Sequence, residues 1–497
     1  MPSATSFASE IEEPPDSPIT VSPISPSCFA NVPPTIYFAS SKEKDNTETQ
    51  EEICDWAGTW GKHMKSSAFR LVQDYQKVNH FPGSFHFGRK DKLWQNVSRM
   101  AARYGRAFNF IPETYVLPQD AKNLKNAWER SGSKKNWIIK PPASARGTGI
   151  HVIHKWSQIP KKQPVVVQRY LSAPFLINDT KFDLRLYVLL TSFDPLRIYV
   201  YDDGLVRFAS VKYSKAQHSL GDRFMHLTNY SINKRSASYT SNEDETICQG
   251  HKWSLKALWG YLEKQGIDTK TLWSSLVDII IKTIISCECH VWRLVKYNTK
   301  SRYSCFELFG FDILLDKNLR PWLLEVNISP SLHSNSLLDT NIKGNLVKDM
   351  LNIAGYQVPN KIGSHSLQAS LLKRFGISTS QTKSLCMNKV LHRWRKTPKE
   401  KQKHLRYEKQ DLGSLSGILE ELTPDDVRIL MEGEDEYQRR GSFIRVFPTP
   451  TSHSYHQYFD CLHYYNRLLD AWEHRVSGDR LVGQFLPITS HTYLVDS

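Results

Sequence analysis

The sequence predicts a mixed α/β or α+β fold, because strand-like and helical patterns alternate between about Trp56 and Pro359. With 497 residues and 40% hydrophobic content, the chain is long enough to form more than one packed domain. The clearest strand signal is a pair of apolar runs, FDILLD and PWLLEVN, on either side of Lys317-Asn318. This pattern is typical of a β-hairpin, so we expect at least one antiparallel hairpin in the core.

The chain divides into four predicted segments. Residues 1–52 are rich in Ser, Pro and Glu and are predicted to be disordered. Residues 53–359 form the predicted core, and residues 360–410 form a basic segment. Residues 411–497 begin with an acidic helix, for which Thr423 is the expected N-cap, and end in a tail with little pattern.

The basic charge is concentrated in one stretch. Residues 361–409 carry +11 of the formal net charge of +15. Within them Met387, Leu391 and Trp394 follow a helical spacing, which predicts a short amphipathic helix that ends at Pro398. A local basic stretch indicates an acidic partner that is met by this segment.

Several protein classes are disfavoured. No apolar run approaches the ~18–20 residues that span a bilayer, and the acidic start MPSATSFASEIEEPPD does not resemble a secretory signal. The eight cysteines show no regular framework. Cys287-x-Cys289-His290 lies in an apolar helical run without a second ligand pair, which favours buried core cysteines in a reduced cytosolic chain over a zinc site.

The predicted hairpin is a candidate metal site. A turn centred on Lys317-Asn318 pairs Asp312 with Leu323. The two-residue period of a strand then places three oxygen ligands on one face: Asp312, Glu325 and Asn327. Carboxylate and amide oxygens suit Mg²⁺, especially beside a bound phosphate. The alternative is a hairpin whose polar face points to water.

Two stretches upstream suggest a nucleotide. In WIIKPPASARGTGIHVI, a strand ends in Lys140, and Arg146 precedes a Gly-Thr-Gly turn that could cover phosphates. An ordinary hairpin is the alternative interpretation. In VVVQRYLSAPFLI, an interior strand runs into four residues that could line a purine pocket, or could simply end the strand: Gln168, Arg169, Tyr170 and Leu171.

Further polar side chains follow in KFDLRLYVLLTSF, DDGLVRFAS and HLTNYSIN. Strand alternation places Lys181, Asp183 and Arg185 on one face, which is either a solvated edge or the wall of a site. Arg207 is predicted to lie beyond a tight turn. A predicted loop carries the last three candidates: His226, Thr228 and Asn229.

Taken in this order, these motifs resemble the tubulin tyrosine ligase-like family of ATP-grasp ligases. The resemblance covers about residues 80–359, and FPGSFHFGRKD and ISPSLHSNS are most like its polyglutamylase branch. It implies an α+β, ATP-grasp-like core with a mostly helical basic C-terminal extension and a disordered N-terminus. Such an extension resembles the microtubule-engaging appendage of polyglutamylases.

The resemblance also implies roles for individual residues. Lys140 and Lys181 would hold ATP phosphates, together with Lys92 by a looser match. Gln168 and Leu171 would frame adenine within the stretch that includes Arg169 and Tyr170, and Asp183 would face the nucleotide.

Two Mg²⁺ ions would be held by Asp312, Glu325 and Asn327. Arg185 and Arg207 would handle an acyl phosphate and an incoming carboxylate, with Glu325 essential for turnover. The phosphate and acceptor side would be lined by His226, Thr228 and Asn229. Thr148 stands where the family often has a basic residue, which leaves more of the γ-phosphate to Arg146.

The implied reaction is ATP-dependent addition of free L-glutamate to side-chain carboxylates of acidic tubulin tails through an acyl phosphate. The expected partners are tubulin and microtubules, and the expected protein is a monomer in the cytoplasm and cytoskeleton, including the cilium or basal body, without nucleic acid or membrane partners. Acidic non-tubulin proteins are alternative substrates, and glycine or tyrosine are alternative amino acids, with His333 a weak candidate for contacting the incoming side chain. From other classes, a nucleic-acid binder and a non-catalytic microtubule scaffold explain fewer of the motifs.

Overall fold

The computed structural model describes most of the chain from residue 57 onward. The described ranges are 57–73, 76–131, 135–144, 146–160, 163–356, 396–409 and 417–481, together with three isolated two-residue strands. Among the described helices, none is both long and apolar enough to cross a membrane.

The strands, in chain order, are β1 (Phe38–Ala39), β2 (Gly58–Thr59), β3 (Lys77–Val78), β4 (Thr114–Leu117), β5 (Trp137–Lys140), β6 (His151–Ile153), β7 (Val165–Arg169), β8 (Leu176–Ile177), β9 (Thr180–Phe193), β10 (Leu196–Phe208), β11 (Lys252–Ser254), β12 (Glu307–Leu315), β13 (Pro321–Asn327), β14 (Val358–Pro359), β15 (Cys386–Met387) and β16 (Phe443–Phe447). The α-helices are α1 (Phe85–Gly88), α2 (Lys90–Tyr104), α3 (Ala121–Ser131), α4 (Arg223–His226), α5 (Tyr230–Asn233), α6 (Leu255–Lys264), α7 (Thr269–Asn298), α8 (Leu337–Ala354), α9 (Pro398–Glu408), α10 (Pro424–Gln438) and α11 (Tyr464–Leu481).

Two antiparallel sheets organise the fold. The large sheet has the order β11-β10-β9-β12-β13, with β16 added to β10 and β8 to β9. The small sheet has the order β4-β7-β5-β6. Antiparallel sheets combined with separate helices confirm the α+β prediction.

The large sheet is buried on both faces. One face packs against α7, whose apolar side chains share the main core with alternate residues of β9 and β12. The opposite face packs against α8 over the second half of β9. The small sheet packs its outer face against α3. The cysteines of α7 lie in this interior, because Cys287 and Cys289 are both buried, which confirms their prediction as core residues.

The chain after residue 417 is integrated into the core. Thr423 caps α10 with Pro424 in its first turn, which confirms the predicted N-cap, and β16 pairs with β10 in the large sheet. Pro398 begins α9 after the N-cap Thr397. Most of the amphipathic helix predicted before Pro398, and most of the segment 1–52 predicted to be disordered, fall outside the described residues. Within the described residues, Met387 lies in β15 instead of a helix, and Phe38–Ala39 form β1. The four segment boundaries stay predictions.

Candidate active site

One face of β9 changes from charged to apolar along the strand. The predicted alternation is confirmed, since Phe182, Leu184 and Leu186 lie in the main core. The opposite face carries Lys181, Asp183 and Arg185, and beyond them Tyr187 and Leu189 pack beneath α8. Helix α8 therefore covers the second half of the strand and leaves the charged half facing the small sheet.

Two arginines and two aspartates form a buried network on this face. Arg185 makes two hydrogen bonds to Asp312, with Nε 2.7 Å from Oδ1. Arg207 makes two hydrogen bonds to Asp183, and its Nη2 also lies 2.9 Å from Asp312 Oδ2. Burial disfavours ionisation of Asp312, but the two guanidinium groups outweigh it and hold the pKa of that carboxyl well below its usual range. Gly310 makes room for the network, because a Cβ there would lie 3.1 Å from Arg185 Cδ.

Arg207 reaches this network from inside β10, directly opposite Asp183. The tight turn predicted before it is wrong. The register of β10 against β9 shifts between Val200 and Gly204, so the strand continues through a bulge. Gly204 is required there because a Cβ would lie 2.5 Å from the carbonyl oxygen of Arg185.

The hairpin carries Asp312, Glu325 and Asn327 on one face, as predicted, but its register differs from the prediction. Asp316 N donates to Arg320 O, so the loop has three residues, of which Leu319 has a φ of +61°. A second shift between Asp312 and Ile313 places Asp312 opposite Glu325 rather than Leu323. This bulge turns Leu323 into the core and keeps Glu325 and Asn327 on the side of Asp312.

Lys90 is a site residue that the sequence analysis missed. It lies in the first turn of α2, and its Nζ is 3.0 Å from Glu325 Oε2 and 2.9 Å from Ser144 O. Lys92, which was matched to the phosphate side, is exposed, and its Nζ donates to Gln95 Oε1 at 3.3 Å. Helical spacing explains the difference, because Lys90 precedes the buried Leu93 by three residues.

Lys140 links the small sheet to the hairpin. Its Nζ donates to Gln168 Oε1 at 2.7 Å and to Leu324 O at 3.4 Å. Gln168 in turn donates to Thr114 Oγ1, which fixes its amide. Burial lowers the pKa of Lys140 to about 8.

Lys181 lies in a second polar cluster at the end of β7. Its Nζ donates to His226 O at 2.9 Å and to Tyr170 Oη at 3.3 Å. Burial lowers the pKa of Lys181 to about 7, with Lys140 adding to the effect. His226 was predicted to line the phosphate side, but its ring contacts Tyr170 Oη and Ser219 O. The ring therefore positions Tyr170, and His226 meets Lys181 through its carbonyl group.

The glycine loop is supported by the segment that carries α4 and α5. Arg223 donates to Gly147 O and Ser231 donates to Arg146 O. Gly147 has a φ of +74°, and a Cβ there would lie 3.0 Å from Asn229 Oδ1. Arg146 is itself exposed at the edge of the loop. The loop predicted over HLTNYSIN is confirmed for residues 227–229, which include Thr228 and Asn229, but single helical turns lie on either side: α4 ends at His226 and α5 begins at Tyr230.

The remaining candidates divide between the site and the surface. Thr228 is buried between α4 and α5, and Leu171 is half-buried beyond β7. Arg169 is exposed and pairs with Trp137, on the face of the small sheet opposite Gln168. Its side chain therefore points away from the cleft, and the prediction that this stretch lines a purine pocket stays a prediction for the backbone of Arg169.

The model of the tubulin-tyrosine ligase family matches residues 69–365. The chain belongs to this family. It is 49% identical over 491 residues to the human tubulin monoglutamylase TTLL4, covering 92% of this chain and 40% of that protein. It is also 41% identical over 435 residues to the Caenorhabditis elegans tubulin polyglutamylase ttll-4, covering 87% and 69%, and 39% identical over 418 residues to the mouse tubulin polyglutamylase TTLL5, covering 81% and 30%. The chain thus spans less than half of the mammalian relatives.

In this member of the tubulin-tyrosine ligase family, three side chains of the hairpin are suited to bind a divalent cation that prefers oxygen ligands. Asp312, Glu325 and Asn327 offer carboxylate and amide oxygens on one face. Asn327 Nδ2 donates hydrogen bonds to Gly310 O at 3.3 Å and to Asp312 Oδ2 at 3.4 Å. The amide oxygen Oδ1 is therefore left as an acceptor. Three cations, those of Arg185, Arg207 and Lys90, pair with three carboxylates, those of Asp183, Asp312 and Glu325.

A comparison of two lysines tests the assignment of Lys90. Lys90→Ala is expected to lower kcat/KM for the nucleotide by about 10–100-fold, because it removes the cation that joins the glycine loop to the hairpin. Lys92→Ala on the same helix is the matched control and is expected to match the wild type, since its side chain is exposed. Equal losses in the two variants in steady-state assays would contradict the assignment.

Proposed function

We propose that this chain is an ATP- and Mg²⁺-dependent protein ligase that adds glutamate to side-chain carboxylates of acidic tubulin tails. The observation that carries this proposal is the convergence of five cationic side chains on one oxygen-rich face: Lys90, Lys140, Lys181, Arg185 and Arg207. Relatives named as tubulin mono- and polyglutamylases support the substrate class.

The chemistry requires charge neutralisation and alignment more than an enzyme nucleophile. ATP would supply the phosphoryl group that activates the substrate carboxylate as an acyl phosphate, with two Mg²⁺ balancing its charge. Lys140 and Lys181 would bind phosphate oxygens, and Gln168, Tyr170 and Leu171 would surround the base. Arg185 and Arg207 present guanidinium groups that can orient two carboxylates. These fixed cations would stabilise the anions that must approach one another.

The choice of glutamate as the incoming amino acid depends on the relatives more than on the residues of the site. His333 was a candidate for contacting the incoming side chain, but it is exposed and meets Lys343 through its carbonyl group. We retain glutamate because of the relatives' names, and acidic non-tubulin proteins as alternative acceptors. Incubation with tubulin, Mg-ATP and separately labelled glutamate, glycine and tyrosine tests this choice. Incorporation of glycine or tyrosine in place of glutamate would overturn it.

The basic segment would hold the enzyme near acidic tails on a microtubule. Part of it faces inward, because Lys403 pairs with Asp426 and Tyr407 is fully buried. The seven lysines and arginines of residues 361–395 are therefore the proposed microtubule-binding charges, and their contribution should fall as salt rises. We propose that the protein acts as a monomer on the cytoskeleton.

Nucleotide binding is expected to take up protons at alkaline pH. In the free protein Lys140 and Lys181, with pKa values of about 8 and 7, are mostly neutral at about pH 9. Phosphate oxygens beside them favour the charged forms, so binding should add about one to two protons. Calorimetry in two buffers of different ionisation enthalpy measures this uptake. Lys140→Met and Lys181→Met should each reduce it, and the absence of uptake by the wild type would contradict the placement of the phosphates.

A further inference from the structure

A cluster of two histidines and one aspartate lies in the C-terminal part of the fold, outside the candidate active site. We propose that His453, Asp470 and His474 bind a zinc ion. Asp470 and His474 are four residues apart on α11 and so share one face of that helix. His453 comes from the 3₁₀ helix Ser452–Tyr458 that follows β16. One ligand atom from each of the three residues lies within 4.8 Å of the other two.

The buried carboxylate gives independent support for a cation. Asp470 is only 1% exposed, and no side chain in the described part of the chain donates a hydrogen bond to its carboxylate oxygens, toward which the backbone N–H of His453 is directed. The buried His456 Nε2 lies 4.0 Å from Asp470 Oδ1 and is also without a hydrogen-bond partner in the described residues. A buried carboxylate without a charged partner in hydrogen-bond contact is costly. A metal bound to one oxygen, with His456 moving closer to the carboxylate from behind, would satisfy these groups.

The donor set favours zinc among the common divalent cations. Two imidazole nitrogens do not suit Mg²⁺ or Ca²⁺, which prefer oxygen ligands throughout, whereas His and Asp are usual zinc ligands. Bonds of about 2.0–2.2 Å place tetrahedral ligand atoms about 3.3–3.6 Å apart. The ligand atoms of the cluster lie within 4.8 Å of one another, and His453 and His474, which are exposed and have ring centroids 5.3 Å apart, can rotate inward to reach this spacing. Water would fill the fourth position.

Such an ion would join two elements of the C-terminal part to each other. The 3₁₀ helix already contacts α7 through Tyr455 Oη, which donates to Asp278 Oδ1 at 3.1 Å. Helix α11 packs against α9 and α10. A zinc ion between them would therefore fix the helices after residue 396 to the main core, and it would raise the stability of the folded chain.

The test uses the metal-stripped full chain, zinc salt and a competing chromophoric chelator. We expect the wild type to bind one zinc ion at this cluster with a Kd of about 1 μM or tighter, and its thermal midpoint to rise with zinc. His453→Ala and His474→Ala should each weaken zinc binding at least about tenfold and lose the zinc-dependent rise. His218→Ala changes an exposed histidine outside the cluster and should behave like the wild type.

The exposed positions of the two variants keep the test independent of folding. Both should melt at the wild-type temperature when zinc is absent, because neither side chain belongs to the core. Wild-type protein without a zinc-dependent rise, or variants that retain the rise, would overturn the proposal. So would copper or nickel in place of zinc in protein purified without added metal.

Discussion

Glu325→Gln is expected to lower turnover by about 10²–10³-fold while the protein stays folded. Glutamine keeps the shape of the side chain and one acceptor oxygen, but it removes the negative charge opposite Asp312 that would help to hold a divalent cation. The position is partly exposed, and Lys90 is the cation that it contacts. The free energy of unfolding should therefore change little.

The measurement combines steady-state ligation with urea unfolding. A variant that retains more than about a tenth of wild-type turnover would contradict the metal-holding role, given the expected size of the effect. Loss of turnover together with a large loss of stability would assign Glu325 to the folding of the hairpin instead. Lys92→Ala controls for a charge change near the same site without contact to the hairpin.

Asp312→Asn is expected to reduce both activity and stability, which distinguishes it from Glu325→Gln. The carboxylate is buried and contacts both Arg185 and Arg207, so its loss leaves two buried guanidinium groups with a single remaining carboxylate, that of Asp183. Breaking a buried ion pair by removing one partner costs about 3–5 kcal/mol. Urea unfolding should show a lower midpoint, and ligation should fall to background.

Asp179→Asn is the matched control for this substitution. Asp179 pairs with Lys212 on the surface at 3.4 Å, where both side chains are mostly exposed. Exposed pairs contribute about 0–1 kcal/mol, and asparagine tolerates the positive φ of this position. Equal destabilisation by the two substitutions would contradict the buried network as the source of stability.

Alternation along strands was predictable because it depends on local sequence alone. The charged face of β9 and the shared face of Asp312, Glu325 and Asn327 were both predicted correctly. The register of the hairpin was not predicted correctly, because the length of its loop and the position of its bulge are determined by packing. Moving Leu323 into the core is favourable only once α7 and the rest of the sheet are present.

Tertiary contacts explain the other differences. His226 and Arg169 lie in motifs that point to a nucleotide, yet the fold turns one toward Tyr170 and the other to the surface. Lys90 could have been found, since the helical spacing to Leu93 places it on the inner face of α2. The pairing of β16 with β10 joins residues more than 200 positions apart, and local sequence carries no signal for it.

The most direct test of the proposed function is the intact mass of tubulin tails after incubation with the purified chain, Mg-ATP and glutamate. The account predicts mass steps of one glutamyl unit that require ATP, continue with time and are absent with Glu325→Gln. The number of steps also separates the start of a branch from its elongation. Microtubule binding without any glutamyl mass step, under conditions in which the protein is folded and binds ATP, would contradict the account.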